Sequence, residues 1–237
     1  MHVLINLSWA CQLECPYCLL PHIKINREAK VHGWMDWAKA LISNVPAGSV
    51  VDIAGGDPLL YPDLAALVYV LGQAGIYWAI TTNAMHTKAV DELIAAKPTK
   101  CALINVSDHP GNGSEEVSEN IVKLRTHFPL VINRVDTPDA GHHRDGVSSI
   151  IPYQSWREGT ELDGITRICD SGQRHWVADP AGDVFRCNPD MARAYPPIGN
   201  LFEEDKIIKP AKVTCRSGCS TCYTSVPTAW PVEMKPV

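Results

Sequence analysis

The 237-residue chain is expected to adopt an α/β fold, a partial (β/α)6 TIM-like barrel of parallel strands, followed by a small C-terminal β-hairpin and helix extension. Three observations point there. Short apolar runs without clean alternation recur with starts roughly 20 to 30 residues apart, the spacing of βα units with short loops. Between them, apolar residues return every three or four positions, as on one face of a helix. Past residue 160 this rhythm stops, and glycines, cysteines and hairpin-like runs take over. The chain is therefore divided into a barrel unit, residues 1–160, and an extension, residues 161–237.

The first strand is the apolar run from Val3 to Leu7, and the next five are residues 50–54, 76–82, 102–106, 130–135 and 149–153. They are apolar without clean alternation, as expected when helices cover one face of a parallel sheet and core or substrate covers the other. Leu64, Leu67, Val68 and Leu71 mark one helix, with Pro62 ahead of it and Gly72 and Gly75 at its end. Val117, Ile121, Leu124 and Phe128 mark another, and residues 34–45 and 87–96 supply two more. Trp34 and Trp37 fall on a helix pattern and are expected to pack. In the extension, two short strands flank the turn Asp179-Pro180-Ala181-Gly182-Asp183.

At 46% hydrophobic residues the chain can bury the core of one good-sized domain or slightly more. Its longest apolar run, residues 64–71, is too short to span a bilayer, and its first ten residues lack the pattern of a secretory signal. A cytoplasmic protein without membrane contact is the expectation. Nine cysteines in such a chain suggest metal ligands rather than disulfides. With 21 Lys and Arg against 26 Asp and Glu the net charge is -5, which disfavours a nucleic-acid partner.

In barrel-type α/β folds chemistry sits in the loops after the C-terminal ends of the strands. Here the first strand runs into Cys11-Gln12-Leu13-Glu14-Cys15-Pro16-Tyr17-Cys18, the second into Gly55-Gly56-Asp57-Pro58, and the third into Thr81-Thr82-Asn83. The fourth ends in Ser107-Asp108-His109, the fifth in Asn133-Arg134 and Asp136, and the sixth at Ile151. Three thiolates spaced C-x3-C-x2-C can hold three irons of a [4Fe-4S] cluster and leave the fourth open. A zinc loop would want a fourth Cys or His nearby, and the nearest, His22, lies four residues past Cys18 in a Pro-His turn. Asp57 has two readings: a carboxylate that pairs with an ammonium, or a cap at a strand-to-helix turn. Cys101 opens a strand and reads as a small core residue. His109, His142 and His143 read as solvated loop histidines.

The spacing of Cys11, Cys15 and Cys18, with Tyr17 before the third, resembles the cluster-binding loop of the radical S-adenosylmethionine (radical SAM) enzymes. The segment Gly55-Gly56-Asp57-Pro58 resembles their Gly-Gly-Glu stretch, with Asp in place of Glu. The resemblance implies reductive cleavage of SAM to a 5′-deoxyadenosyl radical, which removes a hydrogen atom from substrate carbon. It also implies that Gly55, Gly56 and Asp57 meet the methionine amino group, and that Asn83, Asn105 or Ser107, Asn133 and Arg134 reach its ribose or carboxylate.

Downstream, Cys169, Gly182, Cys187, the run Ile198-Gly199-Asn200-Leu201, and the group Cys215, Cys219 and Cys222 resemble the family's C-terminal SPASM extension or its shortened form, twitch. Five cysteines cannot fill two four-ligand clusters, so one auxiliary [4Fe-4S] cluster is implied. Cys169, Cys187, Cys219 and Cys222 are its ligands on this reading, with Cys215 the rival to Cys219; a four-cysteine zinc ribbon is the alternative. The expected substrate is a small polar metabolite or a short peptide. The early strand at Val3 leaves no room for an N-terminal peptide-recognition domain and tilts the expectation to small substrates. The expected partner is an external electron donor such as flavodoxin or ferredoxin. Ribosomal-peptide modification, a redox-neutral isomerase or epimerase, and a non-catalytic iron-sulfur or zinc module are the competing readings.

Overall fold

The computed structural model describes residues 1–15, 18, 31–108, 114–136, 149–152, 168–169, 172–192, 194–203 and 213–214. Six strands follow one another in parallel across one sheet: β1 (His2–Asn6), β2 (Val50–Ala54), β3 (Tyr77–Thr82), β4 (Cys101–Asp108), β5 (Leu130–Asp136) and β6 (Ser149–Pro152). Four helices bridge them in the expected places: α1 (Trp34–Asn44), α2 (Leu64–Gln73), α3 (Thr87–Ala96) and α4 (Glu115–His127). Among the described residues the sheet does not close into a barrel.

Alternation along β2 and β3 decides which face is which. Val51, Ile53, Trp78 and Ile80 are buried with Trp37, Leu41, Leu67, Val68, Leu71 and Leu93 in one core. At about 25 cal/mol per Å² of apolar surface, this helix-facing layer is the main source of stability. The opposite face carries Asp52, Ala54, Ala79, Thr81, Asn105, Ser107 and Asn133, all partly exposed. Helix α4 shows why its bounds fall where they do. The Ser114 hydroxyl caps it by accepting from Val117 N at 3.2 Å, Glu115 and Glu116 lie in its first turn, and Arg125 and His127 lie in its last.

The extension joins the same sheet. Strand β7 (Ile168–Cys169) stands apart, whereas β8 (His175–Ala178) pairs in parallel with β1, and β9 (Asp183–Phe185) folds back on β8. A short helix α5 (Asn188–Ala192) follows, then β10 (Gly199–Asn200) on the outer edge and β11 (Val213–Thr214) paired with β7. The order of the nine-stranded sheet is thus β10-β9-β8-β1-β2-β3-β4-β5-β6. Val177, Phe185 and Met191 form a second small core with Leu4 and Trp9, on the face of the sheet away from the helices, while Trp176, Ala178 and Val184 of the same hairpin join the main core. The turn between β8 and β9 is held by Asp179, whose carboxylate accepts from Ala181 N at 3.0 Å and Asp183 N at 2.9 Å. No helix among the described residues is long and apolar enough to cross a membrane.

Candidate active site

The cysteine loop is anchored before its first thiol. Past the end of β1 the pairing with β2 continues: Leu7 N donates to Ala54 O at 3.3 Å, Gly56 N to Ser8 O at 2.9 Å, and Asp57 N to Ala10 O at 2.7 Å. Two glycines make this approach possible. Gly55 has φ +130, and a Cβ on it would lie 2.3 Å from Ser8 O; a Cβ on Gly56 would lie 1.9 Å from Ala10 O. Cys11 comes next. Further on, Cys18 N donates to Cys15 O at 2.9 Å, closing a turn. All three thiols are unbridged, Cys11 exposed and Cys15 and Cys18 partly so. Desolvation pushes the Cys11 thiol pKa up, with the nearby Asp57 and Cys18 adding to it.

Among the described residues, no three His, Cys, Asp or Glu side chains converge on a point that would hold a single metal ion. Three unbridged, solvent-accessible thiols are the donor set that three irons of a [4Fe-4S] cluster take. The residues present therefore fit a cluster.

Asp57 is 1% exposed, and its carboxylate is occupied by the protein itself. It accepts from Leu59 N at 2.9 Å, capping a 3-10 turn at Pro58–Leu60, and from Thr82 Oγ1 at 2.9 and 3.0 Å and Asn83 N at 2.9 Å. Burial raises its pKa and these donors oppose the rise. The bond from Leu59 N is the contact that the cap reading of Asp57 expects. Asp57 also ties the loop after β2 to the loop after β3.

That second loop is clamped from its other side as well. Ala84 has φ +59, and its carbonyl accepts from Nδ2 of Asn120, a residue at 0% exposure on α4. Asn83 lies between the two clamps. Its Oδ1 accepts from Met85 N at 3.0 Å, and its Nδ2 points to Gln12 Oε1 at 3.3 Å and Cys11 Sγ at 3.9 Å.

On the inner face, Asn133 Nδ2 donates to Asn105 Oδ1 at 2.6 Å, and Asn105 Nδ2 to Thr81 Oγ1 at 3.5 Å. Ser107 stands opposite Asn133 in register, so Asn105, Ser107 and Asn133 share one face with Asn83 at its rim. Arg134 pairs with Asp108 and Ile151 with Val135 in backbone register. Asp52, not singled out in the sequence, lies on the same face between Leu4 and Ala79, and burial pushes its pKa up to about 6. Thr82, Asn120 and Gln12 were also missed. Their roles depend on partners 25, 36 and 71 residues away, and no local pattern carries that information.

In the extension, Cys187 follows Arg186, whose guanidinium forms a buried pair with Asp190 at 2.5 Å. Cys169 lies on β7 directly opposite Val213. Tyr17, His109, His142, His143, Cys215, Cys219 and Cys222 lie outside the described residues. Cys101 packs partly buried against the main core, its pKa pushed up to about 12 by desolvation.

Comparison with known proteins gives three findings. A family model described as the radical SAM superfamily matches residues 5–128. Two proteins named PqqA peptide cyclase are similar over part of the chain: that of Gluconobacter oxydans (strain 621H) is 32% identical over 84 residues, and that of Streptomyces rochei 34% over 88 residues. These alignments span 35% and 37% of this chain but only 23% and 24% of the relatives. A solved structure described as native anSMEcpe with bound AdoMet and Cp18Cys peptide superposes with a TM-score of 0.58 at 14% identity, over 88% of this chain and 78% of that one. At that identity the likeness speaks for the fold, an incomplete α/β barrel.

Proposed function

The chain belongs to the radical SAM superfamily, and from that premise we propose that it abstracts a hydrogen atom from carbon on a peptide or small polar substrate, with net oxidation. The family's cofactors, a [4Fe-4S] cluster and SAM, supply when bound a 5′-deoxyadenosyl radical for that step. The observation that carries the reading is the seating of the cysteine loop on Gly55 and Gly56. It holds three thiols at the same end of the sheet as the polar row of Thr81, Asn105 and Asn133.

Cys11, Cys15 and Cys18 would hold the cluster through one thiolate each. Tyr17, Gly55, Gly56, Asp57, Pro58, Asn83, Ser107, Asn133, Arg134 and Ile151 are the chain's proposed contribution to the SAM pocket. Gly55 and Gly56 let backbone approach the methionine end, Asp57 fixes that turn, and the amide and hydroxyl groups serve the ribose and carboxylate. An inner face shielded from water would protect a primary radical from quenching.

The preference for a peptide comes from the names of the relatives. Net oxidation needs a one-electron acceptor, and the extension offers a place for one: an auxiliary [4Fe-4S] cluster of the SPASM or twitch type, on four of Cys169, Cys187, Cys215, Cys219 and Cys222. The pairing of Val213 with Cys169 supports this, since Cys215 is two residues beyond Val213. Reduction would come from an external carrier such as a flavodoxin or ferredoxin, in the cytoplasm. Residues 161–237 form the extension on this reading.

The test is anaerobic reconstitution, counting of iron and sulfide, then dithionite with SAM and detection of 5′-deoxyadenosine. About eight irons per chain is the expectation, and about four would remove the auxiliary cluster. The Cys11→Ala/Cys15→Ala/Cys18→Ala variant should release no 5′-deoxyadenosine; release at the wild-type rate would overturn the assignment. A product lighter by two hydrogens distinguishes oxidation from a redox-neutral isomerisation.

A further inference from the structure

The loop after β3 is more rigidly held than a connection between strand and helix requires, and the side chain it holds faces the first cysteine. Asn83 N is tied to the buried Asp57 carboxylate at 2.9 Å. The next residue, Ala84, is kept in the left-handed region, a strained conformation for a residue with a Cβ, while Asn120 grips its carbonyl at 2.9 Å. Met85 N, which can only donate, takes Asn83 Oδ1 at 3.0 Å. The carboxamide orientation is therefore determined by chemistry: its NH2 end must face Gln12 Oε1 at 3.3 Å and Cys11 Sγ at 3.9 Å.

We propose that Asn83 is a positioning residue for the iron-sulfur site, its carboxamide N–H donating to the Cys11 thiolate and raising the reduction potential of the cluster, in competition with Gln12. The inference rests on Cys11 being a cluster ligand. At 3.9 Å the bond to a neutral thiol is weak. A thiolate on a cluster carries negative charge, and one-electron reduction adds more, so a donor fixed in advance stabilises the reduced state preferentially. Gln12 Oε1 accepts from the same NH2 group and holds it partly away from sulfur.

The test is an EPR-monitored potentiometric titration of the reconstituted protein without SAM, comparing wild type with Asn83→Ala, Asn83→Asp and Gln12→Ala. In Asn83→Asp the carboxylate still accepts from Met85 N, so the loop keeps its shape while the donor is lost. Both Asn83 variants should lower the reduced-to-oxidised ratio at fixed potential about three- to tenfold, tenfold being 59 mV for one electron. Gln12→Ala should leave the ratio unchanged or raise it. Ratios within twofold of wild type in both Asn83 variants would overturn the proposal, as would a fall in Gln12→Ala equal to theirs, which would mean that loop order alone is being read. Should Asn83→Ala fail to retain iron, Asn83→Asp and the uncharged Asn83→Ser decide. Absence of any reducible cluster in the wild type would instead defeat the underlying assignment, before any variant is compared.

Discussion

Gly56→Ala tests the seating on which the site depends. The added Cβ would sit 1.9 Å from Ala10 O, 2.4 Å from Ala10 C and 2.8 Å from Trp9 C, all backbone atoms that cannot rotate away. Ordinary contact begins at 3.4 Å, so the segment carrying Ala10, and Cys11 with it, must retreat by about 1.5 Å. That movement breaks or lengthens the bonds of Gly56 N to Ser8 O and Asp57 N to Ala10 O. Two hydrogen bonds at about 1 kcal/mol each, with some residual overpacking, cost about 2–4 kcal/mol. Urea denaturation of the apoprotein measures the loss, and iron per chain after reconstitution measures the displacement of the thiols. Gly48→Ala is the control: its φ is +82 but nothing lies within 4 Å of the added Cβ, so it should cost about 1–2 kcal/mol from backbone strain and leave the iron count untouched. A Gly56→Ala protein with wild-type stability and full iron would refute the seating. Equal iron loss in both variants would show that general destabilisation is responsible.

Asp57→Glu, which restores the family's longer carboxylate, should destabilise by about 1–3 kcal/mol, because an extra methylene at a 1%-exposed side chain overpacks its surroundings; denaturation midpoints check it, and an increase in stability would argue that the loop is more open than described. Asp52 has a folded pKa of about 6 against an ordinary 3.8, so its contribution falls as pH rises through that window and the penalty is complete above pH 6. Asp52→Asn should therefore be more stable than wild type by about 2–3 kcal/mol at pH 7 and by little at pH 4, as read from denaturation at both values. His175 stacks on His2 with ring centroids 5.3 Å apart, and burial lowers its pKa to about 4. It stays neutral in the fold while the unfolded chain protonates near pH 6.5, so stability from this residue is complete above pH 6.5 and falls as the pH drops towards 4. His175→Gln should flatten that slope, worth about 3 kcal/mol at most, in a pH series of denaturation curves.

The parallel sheet, its four covering helices and the β8–β9 hairpin could be anticipated from the chain because each is encoded locally. Val51 and Ile53, or Leu64, Leu67, Val68 and Leu71, carry their periodicity within a few residues. The spacing of Cys11, Cys15 and Cys18 is likewise local, and so is the capacity of Gly55 and Gly56 to let another backbone come close. Which backbone comes close was decided only by tertiary structure: Ser8 and Ala10 meet those glycines because β1 and β2 are neighbours in register. The same holds for Asp57: a cap can be anticipated from its place before Pro58, but its bonds from Thr82 and Asn83, contributed by the next strand, cannot. Placement of β8 beside β1, across more than 160 residues of chain, has no sequence signature either. Periodicity and motif spacing record how a segment meets its own neighbours in the chain, whereas the partners of a buried polar group are set by which strands lie side by side.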